Sequence, residues 1–457
     1  MPSTTTARRM RAGRSSPLFV GIAVTAVAAV LLATGALTGG GPSTIAPAPV
    51  GTGFGPTTGG ADGVARRLSA LQARVKAAPA DYTAWASLGL AYVERAKVSA
   101  DPAFYPKAQG AAERSLSINT SDNFAAYAAL AALALSRHDF AGARDLAQAG
   151  LAVNPANAML YGALGDAHTQ LGNYGEAFDA IQRMADISPD TSSLARVSYT
   201  WELRGDTAQA TAYMQRALDD ATSNADRAFA RYYLGELALS AGDAAGALRH
   251  YEAGLRTDPS YTRLLEGKAK AHAALGRTDE AVEEYRQAVE RLPEPAFLLQ
   301  FGELLQSLGR TAEADEQYRL FTTVADLFTR NGAALDVEAA LFHADHGDAA
   351  EALRVAEAGI RNRAFVDMAD AYAWALHVNN RHAEALVWSD KARALGGRNA
   401  SFSFHGGMIK LALGDRDGGR ADLRLALDTN PHFSPLWAPV ARQVLDAQVL
   451  DAQVLDA

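Results

Sequence analysis

His343 and His346, the closest pair among ten histidines, sit with Asp345 and Asp348 in "FHADHGDAAEA". Residues three apart share one face of a helix, so two imidazoles and a nearby carboxylate could meet on a zinc ion. A zinc centre needs three or four converging ligands, however, and only two are assured here. The same residues also suit the end of one helix and the turn after it. A metal-dependent or enzymatic module at His343, His346 and Asp348 is therefore the alternative function rather than the leading one. Glycine-rich "GDRDGGRAD" (Gly414 to Asp422) lacks the acidic spacing and terminal Glu of a calcium loop, and no strand or Lys-Ser supports a phosphate loop. Acidic "RTDEAVEEY" (Arg277 to Tyr285) reads as a helix start, with carboxylates near the positive end of the dipole. No Ser-His-Asp set or nucleophile elbow stands out. The chain has no cysteine, which removes disulfides, thiolate metal sites and cysteine nucleophiles. No catalytic residue and no cofactor is assigned.

If the chain is not an enzyme, the elements themselves must carry its function. Apolar residues make up 49% of the sequence, dominated by helix-favouring Ala and Leu. Net charge is −8 and the sequence pI is about 5.7, which argues against a nucleic-acid partner. In "NPANAMLYGALGDAHTQLGNYGEAFDAIQRMADISPD", Pro155 and Pro189 stand 34 residues apart, as do Pro259 and Pro293. A turn glycine recurs in phase at Gly172, Gly205, Gly242, Gly276, Gly309, Gly347 and Gly414. Five residues after nearly every one comes Ala: Ala177, Ala210, Ala247, Ala281, Ala314 and Ala352. Four further on stands a larger residue, as at Tyr251, Tyr285 and Tyr318. Each unit reads as two antiparallel helices with small residues at the facing positions, Gly165 or Gly235 against Ala177 or Ala247. Glycine provides the helix C-terminus and proline stops the second helix. One hairpin cannot bury its own apolar face, so the units must stack.

"WASLGLAY" (Trp85, Leu88, Gly89, Tyr92), together with the Leu-Gly, Ala and Pro positions, resembles the tetratricopeptide repeat family. The resemblance implies an all-α, right-handed superhelical solenoid of antiparallel helix pairs. Ten units begin near Tyr82, Phe124, Ala158, Thr191, Ala228, Thr262, Pro295, Ala333, Val366 and Ala400, after a capping half-unit from Ala65 to Pro79. Eight extra residues around "AKVSADPAFYPK" are placed in a loop, about four lengthen a second helix before Ala333, and Asn380 replaces one turn glycine. The solenoid spans 65–441, with only sequential neighbours touching and no distant core. Three copies of "QVLDA" form the tail at 442–457, as helix extension or frayed end.

Arg8, Arg9, Arg11 and Arg14, in a basic N-terminus over 1–17, precede the uncharged run Leu18 to Ala36. That run is just long enough to cross a bilayer, and the one-sided positive flank keeps the N-terminus in the cytoplasm and exports the rest. The segment 18–37 is read as a transmembrane helix, giving a single-pass cell-membrane protein with its C-terminal domain extracytoplasmic. The alternative is a cleaved signal peptide and secretion. Residues 38–64, rich in Gly, Pro and Thr, read as a disordered linker.

The resemblance implies a protein-interaction scaffold that binds a peptide or protein in its concave groove. First helices line that groove, through residues two, five, six, nine, twelve and thirteen of each unit. Early units offer small and aliphatic residues (Ala86, Leu90, Ala128, Ala132), so the clamp that some relatives use for acidic C-terminal peptides is unsupported. The middle units supply Arg196, Tyr199 and Glu202, then Tyr232, Tyr233 and Glu236, then Arg263, Glu266 and Lys270, then Glu303. Aromatic and Arg side chains are the usual anchors of an interface. The expectation is a peptide or helix across these units, with Tyr232 and Tyr233 as apolar anchors and Arg196, Arg263 and Lys270 meeting carboxylates.

Overall fold

The computed structural model describes residues 60–333 and 335–455. The basic N-terminus, the apolar run at 18–37 and the linker up to residue 59 lie outside the described residues. Among those described there are 22 α-helices and no strand. A leading helix, α1 (Gly60–Ala77), is followed by ten hairpins: α2 (Tyr82–Ser99) with α3 (Tyr105–Ile118), α4 (Phe124–Ser136) with α5 (Phe140–Val153), α6 (Ala158–Gln170) with α7 (Tyr174–Ile187), α8 (Thr191–Leu203) with α9 (Thr207–Asp219), α10 (Asn224–Ser240) with α11 (Ala244–Thr257), α12 (Thr262–Ala274) with α13 (Thr278–Arg291), α14 (Pro295–Ser307) with α15 (Thr311–Arg330), α16 (Asp336–Asp345) with α17 (Ala349–Asn362), α18 (Val366–Val378) with α19 (His382–Arg393), and α20 (Ala400–Ala412) with α21 (Arg416–Thr429). A last helix, α22 (Trp437–Leu455), ends the array. No helix among the described residues is long and apolar enough to cross a membrane.

Local chemistry sets the hairpins. The turn residue is left-handed throughout, from Gly172 (φ 78°) to Gly414 (φ 86°), and Asn380 takes the same conformation (φ 60°). The residue after several of these turns is Asp, whose carboxylate caps the second helix: Asp206 accepts from the Gln209 amide at 3.0 Å, Asp243 from Gly246 at 2.7 Å and Asp415 from Gly418 at 3.0 Å. "GDRDGGRAD" is thus a turn and a cap. Inside the hairpins, large rings fill the space left by small residues. The Tyr251 ring, fully buried, lies between Gly235 of α10 and Gly267 of α12. Gly235 therefore faces a tyrosine and not Ala247, whereas Gly165 does face Ile181 and the Ala177 carbonyl.

Several boundaries differ from the sequence reading. Helix α1 starts at Gly60, so the last residues assigned to the linker are helical, and Val64 is buried at 1% exposure. The insertion near Ala96 is mostly ordered: α2 runs on to Ser99, and a 3-10 turn (Pro102–Phe104) carries the chain into α3. Helix α10 begins at Asn224, four residues before Ala228, because Ser223 and Asp226 form a capping box. Helix α16 begins at Asp336 rather than Ala333, and the boundary at 441 falls inside α22.

The largest departure concerns distant contacts. The array coils back on itself, and successive turns touch along a seam. Arg363 donates to the side-chain Oε1 of Gln170 at 3.0 Å, and the Val366 amide donates to the Tyr174 hydroxyl at 2.9 Å, across 193 and 192 residues. Leu203, Tyr174, Phe178 and Tyr199 share one apolar cluster with Val366, Ala369, Ala392 and Phe402. The pattern is regular: the turn inside one hairpin abuts the loop that follows the fifth hairpin after it. Gly172 faces the Ala364 carbonyl, Gly205 the Gly396 carbonyl, and Gly242 faces Pro431 and the Thr429 carbonyl. The expectation that only sequential neighbours touch is corrected here. Turn glycines satisfy the local helix end and also let another backbone come close.

Candidate functional site

The first helices of the middle hairpins bring the inner-face residues together, but most of the charges are already matched within the fold. Arg196 on α8 is 3% exposed and holds Asp166 of α6 in a bidentate pair, Nε to Oδ1 at 3.0 Å and Nη2 to Oδ2 at 2.9 Å. Its remaining nitrogen donates to the Ser192 hydroxyl and carbonyl. Arg263 pairs with Glu294 at 2.8 Å. Lys270 sits between Glu236 (2.7 Å) and Glu266 (3.0 Å). Each of the three cations, expected from sequence to meet a partner's carboxylate, is paired with a carboxylate of the chain itself.

The tyrosines are equally engaged. Tyr232 and Tyr233 are 7% and 9% exposed, with ring centroids 5.0 Å apart. Tyr232 also neighbours Tyr251 and Tyr261, at 6.2 and 6.3 Å, and Tyr233 packs on Phe229 at 4.8 Å. Both belong to the core shared by the fourth to sixth hairpins. The Tyr251 hydroxyl donates to Glu236 at 2.6 Å, so this carboxylate holds a phenol and an ammonium at once. Burial pushes the phenols of Tyr199, Tyr232 and Tyr233 well above their ordinary value, so they stay neutral. Glu266, 1% exposed, keeps Oε2 without a partner, and burial raises its carboxyl against the pull of Lys270. Glu303 on α14 is raised to about 8 by burial, reinforced by the charge of Asp345.

Two adjoining cavities lie beside these residues. One, of about 210 Å³, is lined by Tyr199, Tyr232, Tyr233, Glu236, Arg263 and their neighbours. The other, of about 280 Å³, is lined on one side by Tyr199, Glu202 and Ser240, and on the other by Asp367, Arg398, Asn399 and Phe402. Tyr199, Glu202 and Ser240 line both. Glu202 is raised to about 7 by burial and then by the charge of Asp367; Asp367 is raised to about 6 by burial and then by Asp370. Sequence reasoning missed the far wall because it stopped at the seventh unit. The same inner-face register, continued to the ninth, gives Asp367 of that wall.

The histidine cluster is structural. Asp348 caps α17, accepting from the Glu351 amide at 3.1 Å. The His346 ring lies against Tyr318 (4.3 Å) and Phe342 (4.9 Å), and His343 sits edge-on to Phe342 at 5.3 Å. Asp345 accepts from the Trp374 indole at 2.8 Å. Among the described residues no group of three or more His, Asp and Glu side chains is placed to hold a metal ion.

Tetratricopeptide repeat profiles match residues 128–191, 204–262 and 238–300. The photosystem I assembly protein Ycf3 of Prochlorococcus marinus (strain MIT 9313) is 33% identical over 127 residues, covering 25% of this chain and 73% of the relative. Among solved structures, a tetratricopeptide repeat protein of Parabacteroides merdae ATCC 43184 is 20% identical, covering 56% of this chain and 97% of its own, with a TM-score of 0.34. The Cut9–Hcn1 hetero-tetramer of APC/C is 13% identical, covering 79% and 76%, with a TM-score of 0.42. Repeats of this kind imply protein–protein interaction scaffolds, which are generally non-enzymatic. With its recurring turn glycines, Asp caps and stacked hairpins, this chain belongs to the tetratricopeptide repeat family.

Proposed function

We propose that this chain is an extracytoplasmic interaction scaffold, tethered by its N-terminal segment, that takes a short extended segment of a protein partner at the adjoining inner-face cavities. The observation that carries the reading is the space itself. With the Arg and Lys side chains of the inner face spent on internal pairs, the two cavities that share Tyr199, Glu202 and Ser240 are where a ligand has room. Volumes of about 210 and 280 Å³ suit a few side chains rather than a whole helix. Recognition there combines tyrosine faces with carboxylates, a wall suited to an apolar or cationic side chain.

A photo-crosslinking residue at exposed Ser240, on the rim shared by both cavities, tests the site in the full chain. Discrete crosslinked proteins are expected from Ser240 and not from Arg249, a 73% exposed residue on α11. Equal patterns from both positions would move the site elsewhere. The localisation is tested separately. Because the chain has no cysteine, one introduced at Thr57 is the only thiol. An impermeant maleimide should label it in intact cells, and labelling only after lysis would reverse the topology.

A further inference from the structure

Successive turns of the coil meet through a small set of contacts beside a pair of like charges. Arg363 and Gln170, Tyr174 and the Val366 amide, and the apolar cluster around Leu203 and Phe402 hold the seam together. Glu202 comes from the earlier turn and Asp367 from the later one, and both line the same cavity. Among the described residues neither carboxylate forms an ion pair, and Asp367 accepts a hydrogen bond from its own backbone amide, which partly offsets its burial. From these placements we infer that the seam is a pH-sensitive latch, closed while Glu202 or Asp367 carries a proton and loosened when both are ionised.

The charges around the pair decide the direction. Glu236 faces Glu202 from α10 and adds negative charge. On the later turn, Asp370 and Glu338 add more, and Arg363 opposes them while remaining tied to Asp336 and Gln170. Arg398 lines the wall of the shared cavity, and Arg263, tied to Glu294, lines the adjoining cavity with Glu202. Two carboxylates that desolvation and neighbouring acids hold above their ordinary range favour the closed form when protonated. That contribution is complete below the unfolded carboxylate range and is lost as pH rises through about 6 for Asp367 and about 7 for Glu202. The coil is therefore tight in mild acid and loosens in mild alkali. The remaining contacts act as a hinge limit, since the hydrogen bonds and the apolar cluster do not titrate.

The absence of cysteine makes the test direct. Exposed Ala208 and Ala394, near the Gly205–Gly396 approach, are replaced by cysteine and spin-labelled in the chain; Ala208 with Ala241, within one turn, is the control pair. Between pH 5 and pH 8 the cross-seam separation should lengthen with a midpoint near 7, where the second of the two protons is lost, while the control stays constant and helicity is unchanged. In the Glu202→Gln, Asp367→Asn double variant the seam should stay closed at pH 8. A constant cross-seam distance in the parent chain would overturn the latch, as would identical opening in the double variant or loss of helicity in step with opening. The latch stands without the proposed partner site. If that site is also right, crosslinking from Ser240 rises with opening; distance change without that rise would fault the site and leave the latch standing.

Discussion

Gly205 and Gly276 offer a matched pair for measuring what the seam contributes. Both are turn glycines with nearly equal dihedrals, φ 76° and 73°. A methyl group at Gly276 would meet nothing within 4 Å, whereas at Gly205 it would run into the Gly396 carbonyl of the next turn. Gly276→Ala therefore carries only the left-handed backbone penalty of about 1–2 kcal/mol. Gly205→Ala carries the same penalty plus overpacking, typically about 1–3 kcal/mol where surroundings cannot yield. Alternatively the seam parts, and the second term appears as expansion instead of lost stability. Urea titration followed by circular dichroism, together with small-angle scattering at pH 5, separates these outcomes. The expected result is a larger loss of stability, a larger radius of gyration, or both, for Gly205→Ala alone. Equal stability and equal size in the two variants would refute the claim that backbone contact between turns shapes the molecule.

Arg196→Ala should destabilise the array by about 3–5 kcal/mol, because Asp166 is then left buried without its bidentate partner; a chemical denaturation midpoint close to that of the parent would contradict this. Ala177→Phe, at a fully buried contact between α6 and α7, should cost about 1–3 kcal/mol in the same assay. Asp348→Ala removes the cap of α17 and should cost about 0.5–2 kcal/mol without changing the metal content of the purified chain, which elemental analysis can check.

The repeat was legible because its causes are local. A left-handed residue at Gly172 or Asn380, the helix stop at Pro189 and the helix starts at Thr191 and Thr262 depend on a few neighbouring residues. The capping Asp after the turn glycine was equally available in the recurrent Gly-Asp of Gly205–Asp206, Gly242–Asp243 and Gly414–Asp415. The inner-face register falls on the first helices of the hairpins, α8, α10, α12 and α14. What it could not weigh was competition among its residues: Arg196 looks like a free anchor until Asp166, one repeat earlier, is brought within 3.0 Å. The seam was still less visible. It depends on how small rotations accumulate over five hairpins, and its marks, such as Tyr174 and Arg363, look like ordinary surface residues in a linear reading.

The regular offset along the seam constrains how this gene could change. In an open array, a duplicated or deleted hairpin lengthens or shortens the molecule and leaves other contacts alone. Here three turn glycines, Gly172, Gly205 and Gly242, each lie against the loop behind the fifth hairpin further on. Removing one unit between Gly205 and Gly396 would present a different loop to every partner upstream, much as a dropped tooth spoils the mesh of a gear. Copy number within that interval is therefore held fixed by contact geometry, while hairpins added beyond α21 would extend the thread without disturbing it.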